Sequence, residues 1–246
     1  MRGVVVVKTL FLYFFLAVLC FLYSVPFIMY FFVPKSVRFE SCFYYYLIYS
    51  FYWSIIFLLK WVLPLPLFVE GEEHIPQKPT VFVCNHQSAL DIPLLGVLLN
   101  GAPHIWLAKK ALMQSWFLRL ILPEIAILVD NTTAVSSMRS LVHALRVSKY
   151  GKHHLCIFPE GGRYINGKVH SFYGGFAILA KKTGMPVVPI RIFDVQKVYS
   201  PGSFYIYSYP VKMVVGEPVY IGSDELEEHF KERVYQWFIK QEEHRL

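Results

Sequence analysis

The sequence predicts an α/β fold: an N-terminal membrane helical hairpin, residues 1–62, followed by a domain, residues 63–246, whose sheet is flanked by helices. Three observations carry this. Two long charge-free runs stand near the N-terminus. From about residue 71 short apolar runs alternate with longer amphipathic ones, the pattern of a sheet covered on both faces. The hydrophobic content of 55% and mean hydropathy of +0.42 are high for a soluble globule.

Residues 10–33 contain no charge over 24 positions and residues 41–59 none over 19. A bilayer core takes about 20 apolar residues as a helix, so both runs read as membrane helices. A cleaved signal fits poorly: the first run is too long, no A-x-A site follows it, and Leu19 occupies the place before Cys20 where a lipoprotein signal needs a small residue. Pro26 and Pro34 predict a bend or an end to the first helix, and residues 34–40 leave room only for a turn. The runs therefore pair as a hairpin that crosses the bilayer or re-enters it. Arg2 and Lys8 favour a cytoplasmic N-terminus, which returns the following domain to the cytoplasmic face, at the inner membrane in a bacterium.

In the second domain, strands are expected at 80–84, 105–108, 125–129, 154–158, 187–192, 204–209 and 212–215. Helices are expected at 90–99, 111–122, 132–149, 175–183 and 224–243. Ser223 is placed to cap the last of these, along which Leu226, Phe230, Val234 and Trp237 form a stripe. The net charge of +7 divides as +3 over residues 1–70, +7 over 71–221 and −3 over the last 25. A basic middle suits an anionic membrane surface or a phosphate-bearing substrate. No nucleic-acid motif is present, and a membrane anchor precedes the domain, so nucleic acid is not expected as a partner. Cys20, Cys42, Cys84 and Cys156 lie in apolar runs without a C-x-x-C pair and read as reduced, buried thiols.

In open α/β sheets, sites gather at the carboxyl edge of the strands. The first strong strand ends in TVFVCNHQSALDIP, residues 80–93. Ser88 and Asp91 fit a helix start, which would leave His86 a loop residue. Alternatively, Asp91 orients His86 so that its imidazole takes a proton from a substrate. The strand at 154–158 leads into Pro159-Glu160-Gly161-Gly162-Arg163, where the glycines let a ligand approach the backbone and Arg163 offers a planar fork for phosphate. Taken alone, this stretch is more often an ordinary surface turn with a solvated arginine. Gly162 to Lys168 imitates a phosphate loop, but Val169 stands where Ser or Thr must hold magnesium. Cys84 and His86 point the same way on a strand and could pair for covalent catalysis, although Cys84 also simply continues an apolar run. His86, Asp91 and Glu160 lack metal-ligand spacing, so no metal is expected.

Together these blocks resemble the glycerolipid acyltransferases of the 1-acylglycerol-3-phosphate type. NHQSALD is similar to their N-H-x-x-x-x-D motif and FPEGGR to their F-P-E-G-T-R block, at a similar separation. Ala108-Lys109-Lys110-Ala111-Leu112 resembles A-K-K-x-L, and Gly184-Met185-Pro186-Val187-Val188-Pro189-Ile190 resembles the late G-x-P-[IV]-V-P-[IV] block. The resemblance covers roughly residues 60–220 and implies a mixed sheet in the glycerolipid acyltransferase fold. It implies His86 as general base and Asp91 as its orienting partner, with direct attack on an acyl thioester. Asn85, Ser88, Lys109, Lys110, Glu160, Gly161, Gly162 and Arg163 would bind substrate, Arg163 at the acceptor's phosphate. The acceptor would be a lysophospholipid, 1-acylglycerol-3-phosphate foremost, at the membrane. The donor would be acyl-CoA or acyl-carrier protein, with no cofactor. Three departures touch acceptor recognition: Gly162 replaces the usual Thr, Asn131 stands where an arginine usually closes the second block, and Ser171-Phe172-Tyr173-Gly174 lacks the lysine of F-K-x-G. A different lysolipid acceptor, a thioesterase using Cys84 and a non-catalytic membrane protein remain as alternatives.

Overall fold

The structure is a computed structural model that describes residues 2–34, 42–62, 64–100, 102, 104–115, 119, 122–123, 126–130, 132–150 and 153–244. The expected turn at 35–40 lies outside the described residues, as do Asn131 and much of the expected helix 111–122. Strands β1 (Leu67–Glu70), β2 (Val81–Cys84), β3 (His104–Lys109), β4 (Ala126–Val129), β5 (His154–Ile157), β6 (Val187–Phe193) and β7 (Val211–Val215) form one sheet in the order β1-β7-β6-β2-β5-β3-β4. Neighbours run parallel except β6 and β7, so the sheet is mixed.

The central strands are apolar throughout because both faces are covered. Phe82 and Cys84 of β2 join one core cluster with Cys156, Val188 and Ile190, while Val81 and Val83 join the other with Leu155, Ile157 and Val187. That split is the period of two of a strand. The first face packs against α1 (Arg2–Phe31), α2 (Cys42–Phe57, continued by a π turn, Leu58–Val62) and α3 (Asp91–Leu98). The second packs against α4 (Ala134–Tyr150), α5 (Gly175–Thr183) and, beyond the short α6 (Val195–Val198), α7 (Glu227–Lys240).

α1 continues as one helix past Pro26, forgoing the one hydrogen bond the ring nitrogen cannot donate. Its stretch Gly3–Phe31 is long and apolar enough to cross a bilayer. α2, expected to match it, has only 16 residues. Its second half is turned inward: Tyr52, Ile55 and Leu58 are buried, and α2 lies across α3. The Tyr52 hydroxyl meets His104 Nε2 at 2.9 Å, and the ring lies so close to Gly96 that a Cβ there would fall 1.7 Å from it. The hairpin is therefore built into the core of the sheet domain.

Residues 204–209, expected as a strand, have no sheet partner among the described residues. Their backbone is held elsewhere: Ile206 N–H donates to Thr9 Oγ1 at 3.1 Å, Tyr207 N–H to the Val198 carbonyl at 2.8 Å, and the Phe204 carbonyl accepts from Tyr13 at 2.9 Å. Ser223 does not cap the last helix. α7 starts after Leu226 with no side-chain cap, and its buried stripe is Phe230, Val234 and Phe238, with Leu226 exposed. β1 was not expected from the sequence; four residues on a sheet edge give too short an alternation to stand out from the preceding hairpin.

Candidate active site

Sheet order explains how motifs far apart in sequence meet. β2 pairs with β5, Val83 opposite Ile157, so the chain leaving β2 at Asn85 and β5 at Phe158 emerges side by side at the carboxyl edge. β3 lies on the other side of β5 and ends in Lys109, while β6 lies on the other side of β2. Four separate blocks of sequence thus occupy four adjacent strands.

At the centre, His86 Nδ1 donates to Asp91 Oδ2 at 2.7 Å. Asp91 is wholly buried at the first position of α3, and the same oxygen accepts the backbone N–H of Gln87 (2.6 Å) and Ser88 (2.8 Å). One carboxylate oxygen thus holds both the His86 ring and the backbone that leads into α3. The His86 ring stacks on Phe158 with centroids 4.0 Å apart, and Phe158 stacks in turn on Trp106 at 5.3 Å. With Nδ1 facing a carboxylate, Nε2 is the nitrogen left with a lone pair. Arg163 Nε–H points at it from 3.3 Å.

Glu160 is the bridge between the two loops. Its Oε2 accepts the His86 backbone N–H and its Oε1 that of His170, both at 2.8 Å. Burial pushes its pKa up to about 7, opposed by those two N–H groups and by the positive charge of Arg191. Gly161 turns the chain with φ +63°, and a Cβ there would lie 2.8 Å from the Tyr173 ring and 3.2 Å from Lys109 Cε, so Lys109 reaches this loop and only glycine fits. At Gly162 a Cβ would find ordinary contact with Tyr164.

His86, Asp91, Glu160, Gly161, Gly162, Arg163 and Lys109 thus come together. Lys110 pairs instead with Asp130 at 3.0 Å, and hydrogen bonds from Thr132 and then from Lys110 hold Asp130 well below the usual carboxylate range. The Asn85 amide is wholly engaged with the Ile192 backbone, donating at 2.9 Å and accepting at 2.7 Å, so it ties β2 to β6. Ser88 Oγ donates to the Tyr199 carbonyl at 2.6 Å and accepts from Leu90 N–H at 3.2 Å. Cys84 is fully buried in the core, and burial drives its thiol well above the ordinary range, which opposes the thiolate a nucleophile needs. Among the described residues no group of three or more His, Cys, Asp and Glu gathers in a way that could hold a metal ion.

Sequence reasoning missed the Phe158 and Trp106 platform and it missed Arg191. The latter is fully buried, donates to the Gly167 carbonyl at 2.9 Å and pairs with Glu242, pinning the loop that carries Arg163 to the C-terminal segment. A lone arginine inside the apolar strand VVPIRIF was the available signal.

Residues 66–193 match the family model described as Acyltransferase. The chain is 29% identical over 160 residues to a 1-acyl-sn-glycerol-3-phosphate acyltransferase of Borreliella burgdorferi, covering 61% of this chain and 63% of that protein. A relative of the same description from Saccharomyces cerevisiae is 30% identical over 150 residues, covering 58% of this chain and 48% of its own. The matched region spans about three-fifths of the length of the first such relatives. The crystal structure of the 1-acyl-sn-glycerophosphate (LPA) acyltransferase PlsC from Thermotoga maritima superposes with a TM-score of 0.73 at 25% identity, covering 98% of this chain and 97% of that one.

Proposed function

The chain belongs to the acyltransferase family, and from that premise we propose that it transfers a fatty acyl group from an acyl thioester to the free hydroxyl of 1-acylglycerol-3-phosphate. The observation that carries the reading is the buried Asp91 carboxylate fixing His86 through Nδ1, with a guanidinium beside the opposite nitrogen. A hydroxyl is a poor nucleophile at neutral pH and gains from a positioned base. His86 Nε2 takes the hydroxyl proton as the oxygen attacks the thioester carbonyl. Collapse of the tetrahedral intermediate breaks the C–S bond, and the departing thiolate receives the proton from the imidazolium. Asp91 stabilises that imidazolium and keeps the ring in register.

Arg163 binds the acceptor phosphate, with Lys109 near the same loop. A phosphate that draws the guanidinium toward itself also lifts it off Nε2, so acceptor binding frees the base. Acyl-CoA or acyl-carrier protein serves as donor, and no cofactor takes part. The named relatives of this description support the choice of acceptor.

The test is an assay with radiolabelled acyl-CoA and a panel of lysolipid acceptors. His86→Ala should lower turnover by about two to four decades in a chain that still folds, since proton transfer by a positioned base contributes on that scale. Cys84→Ala should remain active. Near-normal turnover in folded His86→Ala, or loss of activity in folded Cys84→Ala, would overturn the reading.

A further inference from the structure

We propose that residues 199–209 form a second lipid-contacting surface, beside α1, whose partner is the headgroup layer of a bilayer. The proposal rests on the acyl-transfer reading for its purpose, since that reaction needs a site held at a lipid surface.

The segment YSPGSFYIYSY contains no charged residue. Phe204, Tyr205, Tyr207 and Tyr209 are 52%, 42%, 45% and 37% exposed, while Ile206 turns inward. A loop made for water carries small and charged residues at such positions. Tyrosine, with an apolar ring and a polar tip, suits the boundary between headgroups and acyl chains. The segment is stitched to the base of both hairpin arms. Thr9 and Tyr13 of α1 hold Ile206 and Phe204, the Tyr13 and Phe204 rings lie 5.3 Å apart, and Ser208 Oγ donates to the Pro64 carbonyl just beyond α2.

The segment is joined to α1 through the face that carries Thr9 and Tyr13, while Val4, Val7, Phe11, Phe14, Val18 and Phe21 stand exposed at helical spacing on the other side of that helix, so both flank its apolar surface. Lysines stand beside rings at its margin. Lys197 Nζ lies 4.6 Å above Tyr209 and 3.0 Å from its hydroxyl, while also pairing with Asp194, and Lys60 lies over the exposed Trp61 at 5.8 Å. An apolar stem with a cationic tip is how lysine sits at an anionic lipid boundary. The other end of the segment reaches the reaction centre, because the Tyr199 carbonyl accepts the Ser88 hydroxyl two residues from His86. One piece of chain thus touches both the apolar helix and the catalytic turn, and its seat in the headgroup layer fixes the height of His86 above the acyl chains.

The experiment uses the full chain with Cys20→Ser and Cys42→Ser; Cys84 and Cys156 are buried and stay. Tyr207→Cys, and separately Glu228→Cys on the opposite side of the sheet, receive an environment-sensitive fluorophore. Each protein is bound to phosphatidylethanolamine–phosphatidylglycerol vesicles with or without brominated acyl chains. The label at 207 should shift blue and be quenched, and the label at 228 should do neither. Equal behaviour at both positions would overturn the proposal, as would a blue shift at 207 that grows with protein concentration in detergent without vesicles, the mark of contact between copies or with another protein. In parallel, the double variant Phe204→Ser, Tyr207→Ser should lose about tenfold in kcat/KM on a long-chain acceptor in vesicles and keep its rate on a short-chain, water-soluble one. Equal loss on both would assign the segment to the fold. If wild type acylates neither acceptor, the acyl-transfer reading fails, while the quenching result still decides the lipid contact.

Discussion

Arg163 and Glu160 sit three residues apart and answer to different chemistry. Arg163 is exposed and touches Nε2 of His86, whereas Glu160 is buried and touches only backbone. Arg163→Ala should raise the acceptor KM or lower kcat/KM by an amount equivalent to about 2–3 kcal/mol, and Arg163→Lys by less, because lysine keeps charge without the planar fork. The donor KM should stay unchanged, and slow thioester hydrolysis without acceptor should rise as Nε2 loses its cover; saturation curves for both substrates check this. Glu160 has a folded pKa near 7 against an ordinary 4.5, so the folded protein binds its proton more tightly than the unfolded chain does. Its contribution to stability is therefore present at low pH and lost as pH rises through about 7. Denaturant midpoints from pH 5 to 8 should show that loss in wild type and not in Glu160→Gln. His86, Asp91 and Arg163 could be singled out in sequence because each lies in a short polar stretch that follows an apolar strand. The inward role of Asn85 was not, because an amide aimed at a ligand and one aimed at a neighbouring strand look alike until strand order is known.

At the scale of elements, the contact between α2 and α3 is set by Gly96. Gly96→Ala would drive a methyl group into the Tyr52 ring, and the two helices would have to part. Overpacking of a tight core contact costs about 1–3 kcal/mol, and more where backbone must shift. The expected result is a lower midpoint in thermal unfolding, with partial rescue by Tyr52→Leu, which clears the space. His104 adds to this contact only when neutral: burial lowers its pKa to about 4, so acid that protonates it loosens the joint. The central strands could be read from sequence because burial on both faces leaves no polar alternation. The same rule misled at 204–209, where aromatic residues signalled a strand although their backbone is tied to α1 and the Val198 carbonyl. Hydrophobicity marks contact with something apolar and does not say which element or phase supplies it.

For the molecule as a whole, the hairpin and the sheet share one core. Leu12, Ile55 and Leu58 lie in the same cluster as Leu94, Leu95 and Trp106. A chain lacking residues 1–62 should therefore lose most of its membrane attachment and also expose that apolar face, appearing in the aggregate fraction without detergent; a monodisperse, soluble remainder by gel filtration would contradict this. Composition marks two stretches along the sequence, but the packing of one into the other could not be read from it, since a helix facing lipid and one facing a core present the same residues. The order β6-β2-β5-β3 carries a further consequence, in time. β2 leaves the ribosome carrying the Asn-His pair, yet its two neighbours in the sheet are β5 and β6, and the latter ends about 110 residues later. At synthesis rates of about 5–20 residues per second, the nascent chain holds its apolar helices and a half-built sheet for about 5–20 s before any reaction centre can close. The apolar helices are made before the sheet, so on the acyl-transfer reading the growing chain can lodge at a lipid surface throughout that interval and reaches its acceptor before it is able to act on it.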